Sequence, residues 1–285
     1  MSAAPWCCVR VGLVAIMIAV WVVCFRAWRT TVGPGLCGEP NHIQLACLQT
    51  DPELTVLHQA WHDDAKRYAA AIRHQPSSGN IIPEQAWAYL AAGRRNDSLT
   101  VCETGFWRGM STHLWLFANS RAVVHSFDTN FPDVSVSILR RTFGARRLHL
   151  HRGSTRSTLT TFHPQARCDI LSIDASHDGW DPYDDFVALL PKLRCGSTVF
   201  FDDTFDIRAP NQSLDNNPSS LSFYNACTRS YWRAVREGLI VHAGCESFGR
   251  RWRWGRFPKG FCTGYVAADT SLGRARVRCS HDHLT

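Results

Sequence analysis

The segment Val101-Cys-Glu-Thr-Gly-Phe-Trp-Arg-Gly-Met-Ser111 sets an acid, two glycines and a hydroxyl between an apolar run and the helical pattern His113–Ala118. A strand, a glycine turn and a helix start in that order make a polar-ligand site. Gly105 permits a torsion that a side chain forbids, and Gly109 lets backbone approach a ligand at the positive end of the helix. The spacing Glu103-x-Gly105-x3-Gly109-x-Ser111 differs from the G-x-G-x-x-G of a dinucleotide site. Further on, Ala122-Val-Val-His-Ser-Phe-Asp128 ends in an acid, about 20 residues past the glycines, where a ribose contact falls in Rossmann-like folds. Asp128 is therefore the ribose-hydroxyl candidate; its other reading is a cap on the loop Asn130–Asp133.

Two more strand-like runs end in acids. Cys168-Asp-Ile-Leu-Ser-Ile-Asp174 leads into Ala-Ser-His177, and Thr198-Val-Phe-Phe-Asp202 is followed by Asp203 and Thr204. Three acids at neighbouring strand ends are costly unless a cation or a cationic substrate group meets them. A divalent ion on Asp174, Asp202 and Asp203 would acidify a substrate hydroxyl; alternatively, Asp202 and Asp203 cap the loop and next helix. His177 is a general-base candidate because its ordinary pKa lies near neutrality, or it pairs with Asp174.

The elements that must hold these residues alternate. Strands are expected at Thr100–Glu103, Val123–Asp128, Leu148–His151, Asp169–Asp174, Ser197–Asp202 and Leu239–His242. A helix runs from Pro182 through Phe186 to Leu190. Such βαβ order predicts a mostly parallel sheet covered on both faces, with ligands at the carboxyl ends of the strands. Upstream, Pro52–His74 reads as a helix with Leu54, Leu57, Trp61, Ala65 and Tyr68 on one face, and Glu84–Ala92 as a second.

The motifs Cys-Glu-Thr-Gly-(x)3-Gly-x-Ser, Ser-Phe-Asp, Cys-Asp-Ile-Leu-Ser-Ile-Asp-Ala-Ser-His, Leu-Leu-Pro-Lys-Leu-Arg-Cys-Gly and Phe-Asp-Asp resemble, in order and spacing, a class I S-adenosylmethionine-dependent methyltransferase. The similarity is to methyltransferase domain family 24, over about Ser98 to Val266. The resemblance implies an α/β, doubly wound, Rossmann-like sheet and S-adenosyl-L-methionine as cofactor. Glu103, Gly105, Gly109 and Ser111 would hold its amino acid end, Asp128 its ribose, and Asp174 would lie beside the transferring methyl. It also implies Mg2+ or another divalent cation on Asp174, Asp202 and Asp203, although the third ligand in such enzymes is commonly asparagine. One departure is plain. Where the family shows Gly-Asp-Ser, with its acid on the adenine amino group, this chain has Gly153-Ser154-Thr155, leaving Ser154 for a weaker contact.

A chain of 285 residues holds one such domain plus extensions. Its 45% hydrophobic content is ordinary for a soluble domain, so the uncharged run Val11–Phe25 is a local feature. Arg10 precedes that run, Arg26 and Arg29 follow it, and no small-x-small cleavage pattern is present; it reads as an uncleaved signal anchor, a transmembrane helix of a type II, single-pass membrane protein. Nine of the twelve cysteines follow this run, as do the sequons Asn96-Asp-Ser98 and Asn211-Gln-Ser213. Both features suit a glycoprotein with disulfides in the lumen of the Golgi, ER or secretory pathway. An odd count leaves at least one thiol unpaired, and Cys102 also reads as a buried reduced thiol. The expected organisation is residues 1–30 as tail and anchor, 31–97 as stem and cap helices, 98–268 as the methyltransferase-like domain, and 269–285 as a basic tail.

Arg229 to Arg278 carries eleven Lys and Arg against three acids, a larger excess than the formal +7 of the whole chain. At its centre, Arg250-Arg-Trp-Arg-Trp-Gly-Arg-Phe-Pro-Lys259 alternates cations with aromatics. A sulfated or carboxylated glycan, an anionic headgroup or an acidic substrate suits it, and a lumenal site disfavours nucleic acid. The plainer reading is a hairpin with packed tryptophans and solvated arginines, stapled by Cys245 and Cys262. The expected function is O-methylation of a small molecule or glycan. Two alternatives stay open: an inactive methyltransferase-fold binding module using residues 250–259, and a Golgi-type glycosyltransferase, which normally carries Asp-x-Asp rather than adjacent acids.

Overall fold

In the computed structural model the described residues are 48–72, 81, 83–94, 97–162, 167–204, 226–251, 258–267, 269–272 and 275–278. The apolar run Val11–Phe25, His74, Asn96, Asn211 and Trp252–Phe257 lie outside them. So do the side chains of Arg250, Arg251 and Lys259. Among the described residues no helix is long and apolar enough to cross a membrane.

The chain opens with two helices, α1 (Pro52–Ala71) and α2 (Pro83–Gly93). Asp51 caps α1 by accepting from the Glu53 and Leu54 amides at 2.9 and 3.0 Å, and Pro52 takes the first turn, where a missing N–H costs nothing. Leu54, Trp61, Ala65 and Tyr68 are buried along one face, as their spacing predicts.

The sheet then builds through β1 (Leu99–Thr104), α3 (Met110–Ala118), β2 (Ala122–Asp128), α4 (Asp133–Phe143), β3 (Leu148–Arg152), α5 (Thr155–Thr161), β4 (Cys168–Ile173), α6 (Asp181–Leu189) and β5 (Leu193–Asp202). Helix α7 (Ala226–Arg236) and strands β6 (Ile240–Arg251) and β7 (Pro258–Val266) complete it. Strand order is β3-β2-β1-β4-β5-β7-β6. The first five strands pair in parallel, and β7 enters antiparallel between β5 and β6. A final pair, β8 (Asp269–Leu272) and β9 (Ala275–Arg278), is antiparallel and separate.

Side-chain alternation divides the interior into two cores. Val101 and Phe200 pack with Trp61, Tyr89 and Trp115 on the face covered by α1, α2 and α3. Their strand neighbours Cys102 and Phe201 pack with Phe186, Leu189 and Tyr231 on the face covered by α5, α6 and α7. Each such aromatic, fully buried, contributes about 1.5–3 kcal/mol. The doubly wound, mostly parallel sheet expected from the sequence is present. Strand β6 runs farther than expected, and β7, absent from the strands expected by alternation because Pro258, Gly260 and Gly264 lower strand propensity, is the return arm of the hairpin reading.

Disulfides tie both halves. Cys102 of β1 bonds Cys168 of β4, so Cys102 is not the buried reduced thiol it could have been. Cys245 bonds its cross-strand partner Cys262, the staple suggested by their positions. Cys227 is a buried free thiol. Peptide mapping without reduction should recover the 102–168 and 245–262 links, and Cys227 should react with alkylating agent only after denaturation. Recovery of Cys245 and Cys262 as free thiols would contradict the hairpin staple.

Candidate functional site

The turn after β1 is locked between two neighbours. The Gly105 amide donates to the Phe127 carbonyl of β2 at 2.8 Å, and the Asp174 amide donates to the Thr104 carbonyl at 2.9 Å. Gly105 has φ +90, and a Cβ there would lie 2.0 Å from the Asp174 carbonyl oxygen. No side chain fits. Gly109 also has positive φ, but a Cβ would meet Phe106 Cζ at 2.7 Å and Leu139 Cδ1 at 2.9 Å. Positive φ and this packing both favour glycine here, and neither conflicts with the expected approach of a ligand.

Asp128 organises the same turn from β2. Its Oδ2 accepts from the Phe106 and Trp107 amides at 2.7 and 2.9 Å, and its Oδ1 from the Asn130 amide at 2.9 Å. Oδ1 also accepts from the Thr129 hydroxyl at 3.4 Å, a bond long enough for a closer donor to displace. Both readings of Asp128, ribose ligand and loop cap, are compatible with this geometry. Trp107 sits at φ +47 with its ring exposed, an uncommon conformation for an aromatic residue held by these bonds.

Glu103 is buried under the start of α3. Burial pushes its carboxyl up to about 7, against hydrogen bonds from Thr112, Ser126 and Ser111. Ser111 therefore acts on Glu103. Ser154 precedes α5; its carbonyl accepts from the Ser157 and Thr158 amides at 2.9 Å, while its hydroxyl makes no capping bond. The Gly153 amide donates to the Asp128 carbonyl at 3.0 Å, which joins the ends of β2 and β3.

At the ends of β4 and β5 the structure brings Asp174, His177 and Asp203 together, each offering one ligand atom within 4.8 Å of the others. His177 Nε2 is 3.7 Å from both Asp174 Oδ1 and Asp203 Oδ2. This corrects the expected trio of Asp174, Asp202 and Asp203. Asp202, the last strand residue, is buried toward Tyr89, whereas Asp203 leaves the strand at φ +51. The turn at Asp203 thus separates its carboxyl from that of Asp202, and only Asp203 joins Asp174 and His177. Burial acts against a proton on His177. Asp174, Cys227 and the charge of Asp203 outweigh it and push the imidazole up to about 11. The two carboxylates thus favour the protonated ring, and the general-base reading requires another cation to offset them.

Several residues here were not anticipated. The Cys227 thiol of α7 contacts His177 from the buried side and is pushed up to about 11, chiefly by burial. Arg229 of α7 donates to the Gly179 carbonyl at 3.2 Å and stacks on Trp180 at 5.0 Å, clamping the loop that carries His177. Tyr89 of α2 stacks on Trp115 at 4.6 Å and accepts from Gln85 at 3.1 Å. Asp185 of α6 is buried beside Thr155 and Thr104 and raised to about 6, first by burial. Its signal was present: it falls on the apolar stripe of Pro182, Phe186 and Leu189, where an acid has no ordinary place.

Residues 102–204 match a profile described as a methyltransferase domain, family 24. This segment is a methyltransferase domain. No curated protein sequence matches the chain. Among solved structures it resembles a Bacillus cereus O-methyltransferase in complex with SAH, at 16% identity and TM-score 0.53, covering 72% of this chain and 90% of that one. It also resembles TomG of Streptomyces achromogenes, an O-methyltransferase of tomaymycin synthesis in complex with SAM, at 15% identity and TM-score 0.55, covering 73% and 89%. Family and fold together make the chain an S-adenosylmethionine-dependent methyltransferase of class I type, and the glycosyltransferase alternative falls.

The folded chain holds the Glu103 proton up to about pH 7, whereas an ordinary glutamate releases it near 4.5. Folding is therefore progressively disfavoured as pH rises through that window. Glu103→Gln should raise stability at pH 8 by roughly 1–3 kcal/mol and give no gain at pH 4, read as melting temperature at the two pH values. Gly105→Ala should destabilise by about 3 kcal/mol or more in denaturant titration, because of both the overlap with Asp174 and the positive φ.

Proposed function

We propose that this methyltransferase transfers the sulfonium methyl to a hydroxyl oxygen of a small molecule or glycan. The observation that carries the reading is the Asp174, His177 and Asp203 cluster, set at the same sheet rim as the Gly105 turn and joined to it through the Asp174 backbone. In the transfer, an oxygen lone pair takes the methyl carbon, the carbon–sulfur pair returns to sulfur, and the hydroxyl proton leaves. Asp174 and Asp203 would receive or direct that proton and orient the hydroxyl, while His177 Nε2, protonated between them, fixes their positions. The Gly105 turn, Asp128 Oδ1 and Ser154 would hold the amino acid, ribose and adenine portions of the cofactor.

Two carboxylates and an imidazole also fit a divalent cation such as Mg2+ or Mn2+. Asp174, Asp203 and His177 would be its ligands, and its chemistry would be to acidify the acceptor hydroxyl. A lumenal, membrane-anchored setting belongs to this reading. It is supported by the uncharged run Val11–Phe25 and by the disulfides, which persist in oxidising compartments. An anionic group on the acceptor or a neighbouring surface would suit the basic run Arg250–Lys259.

Calorimetric titration of S-adenosylmethionine into residues 31–285, with disulfides intact, tests the site. Binding is expected, weakened tenfold or more by Asp128→Ala, and Asp203→Ala, which removes the side-chain oxygen, should abolish any dependence on added Mg2+ or Mn2+. Absence of heat and of thermal stabilisation at millimolar cofactor would overturn the enzyme reading in favour of a methyltransferase-fold binding module.

A further inference from the structure

Three histidines stand together on β2 and β3, away from the acid cluster. The parallel register sets His125 opposite His149 and Phe127 opposite His151, so all three histidine side chains project from the same face of the sheet. His125 Nδ1 is 3.2 Å from His151 Nε2. The exposed His149 ring stacks on His125 with centroids 4.7 Å apart. Phe162, just past α5, covers the pair at 5.0 Å from each of His125 and His151. Strand β1 separates this strip from the ends of β4 and β5.

The electrostatics of the group are unusual. Burial, then His149 and His151, hold His125 down to about 4, and burial with His149 lowers His151; no carboxylate acts on either. Neutral imidazoles each carry one lone pair. A hydrogen bond between His125 and His151 occupies only one of the three. Two imidazole nitrogens on one tetrahedral Zn2+, each about 2.0–2.1 Å from the metal, lie about 3.3 Å apart, close to the 3.2 Å between His125 Nδ1 and His151 Nε2.

We propose that His125 and His151, with His149 as a third donor, form a Zn2+ site independent of the Asp174, His177 and Asp203 cluster. Imidazole donors select Zn2+ over Mg2+, whose preference is for oxygen. Paired strands bring two nitrogens to ligand spacing as a hydrogen-bonded pair that the ion would replace, and His149, stacked on His125, must turn about its side-chain torsions to reach the ion.

The test is Zn2+ titration of the full chain by calorimetry in an Asp174→Asn, His177→Gln background, which disables the other cluster. One Zn2+ per chain is expected, with affinity falling at least tenfold in His125→Gln or His151→Gln and no heat from Mg2+. Melting temperatures of the metal-free variants report folding. Cu2+ bound to the background protein gives a readout that needs no histidine variant, because its electron paramagnetic spectrum should show coupling to two or more nitrogens. Zn2+ binding unchanged in His125→Gln, no binding in the background protein, or a Cu2+ spectrum with oxygen ligands alone would overturn the site and leave the histidines merely bonded to one another.

Discussion

The contact between Gly105 and the Asp174 backbone is the constraint on which the rest of the rim depends. With the Thr104 carbonyl bonded to the Asp174 amide, the glycine turn and the acid of β4 form one rigid unit. Asp128 then closes the turn from β2, and Gly153 ties β3 to β2. Four strand ends are thereby fixed by main-chain bonds and one carboxylate. A methyl-transfer site needs this, since reacting atoms must be held in line to within fractions of an ångström.

Charge is the second organising feature. Glu103 and Asp185 are buried carboxyls whose surroundings raise them to about 7 and 6, one on each face of β1's end. They are bonded by hydroxyls instead of cations, so burial is opposed only by hydrogen bonds and raises both above the usual carboxylate range. Asp174 and Asp203 follow the opposite course, sharing a protonated His177. The same sheet rim thus holds two buried acids bonded by hydroxyls and two half-buried acids grouped around a histidine.

Helix α7 links the second core to this rim. Cys227 backs His177, Arg229 holds Gly179, and Arg233 stacks on Trp180 and Tyr183 at 4.8 and 4.1 Å. The loop after β4 is therefore held by a helix that follows β5 in the chain. An arginine stacked and hydrogen-bonded in this way fixes orientation as well as charge.

What the sequence determined by itself was local and periodic: the strand, turn and helix around Gly105, five parallel strands, the face of α1, and the acids that end β2, β4 and β5. These are legible because alternation, helical spacing and glycine torsion are properties of adjacent residues. Tertiary structure decided what depends on elements far apart in the chain. It packed Gly109 against Phe106 and Leu139 and inserted β7 between β5 and β6. It put His177 in place of Asp202 beside Asp174 and Asp203, and brought Cys227 and Arg229 to the loop that carries His177. The physical reason is that side-chain direction at a strand end, and which helix closes over it, are set by packing across the sheet, which no local run of residues encodes.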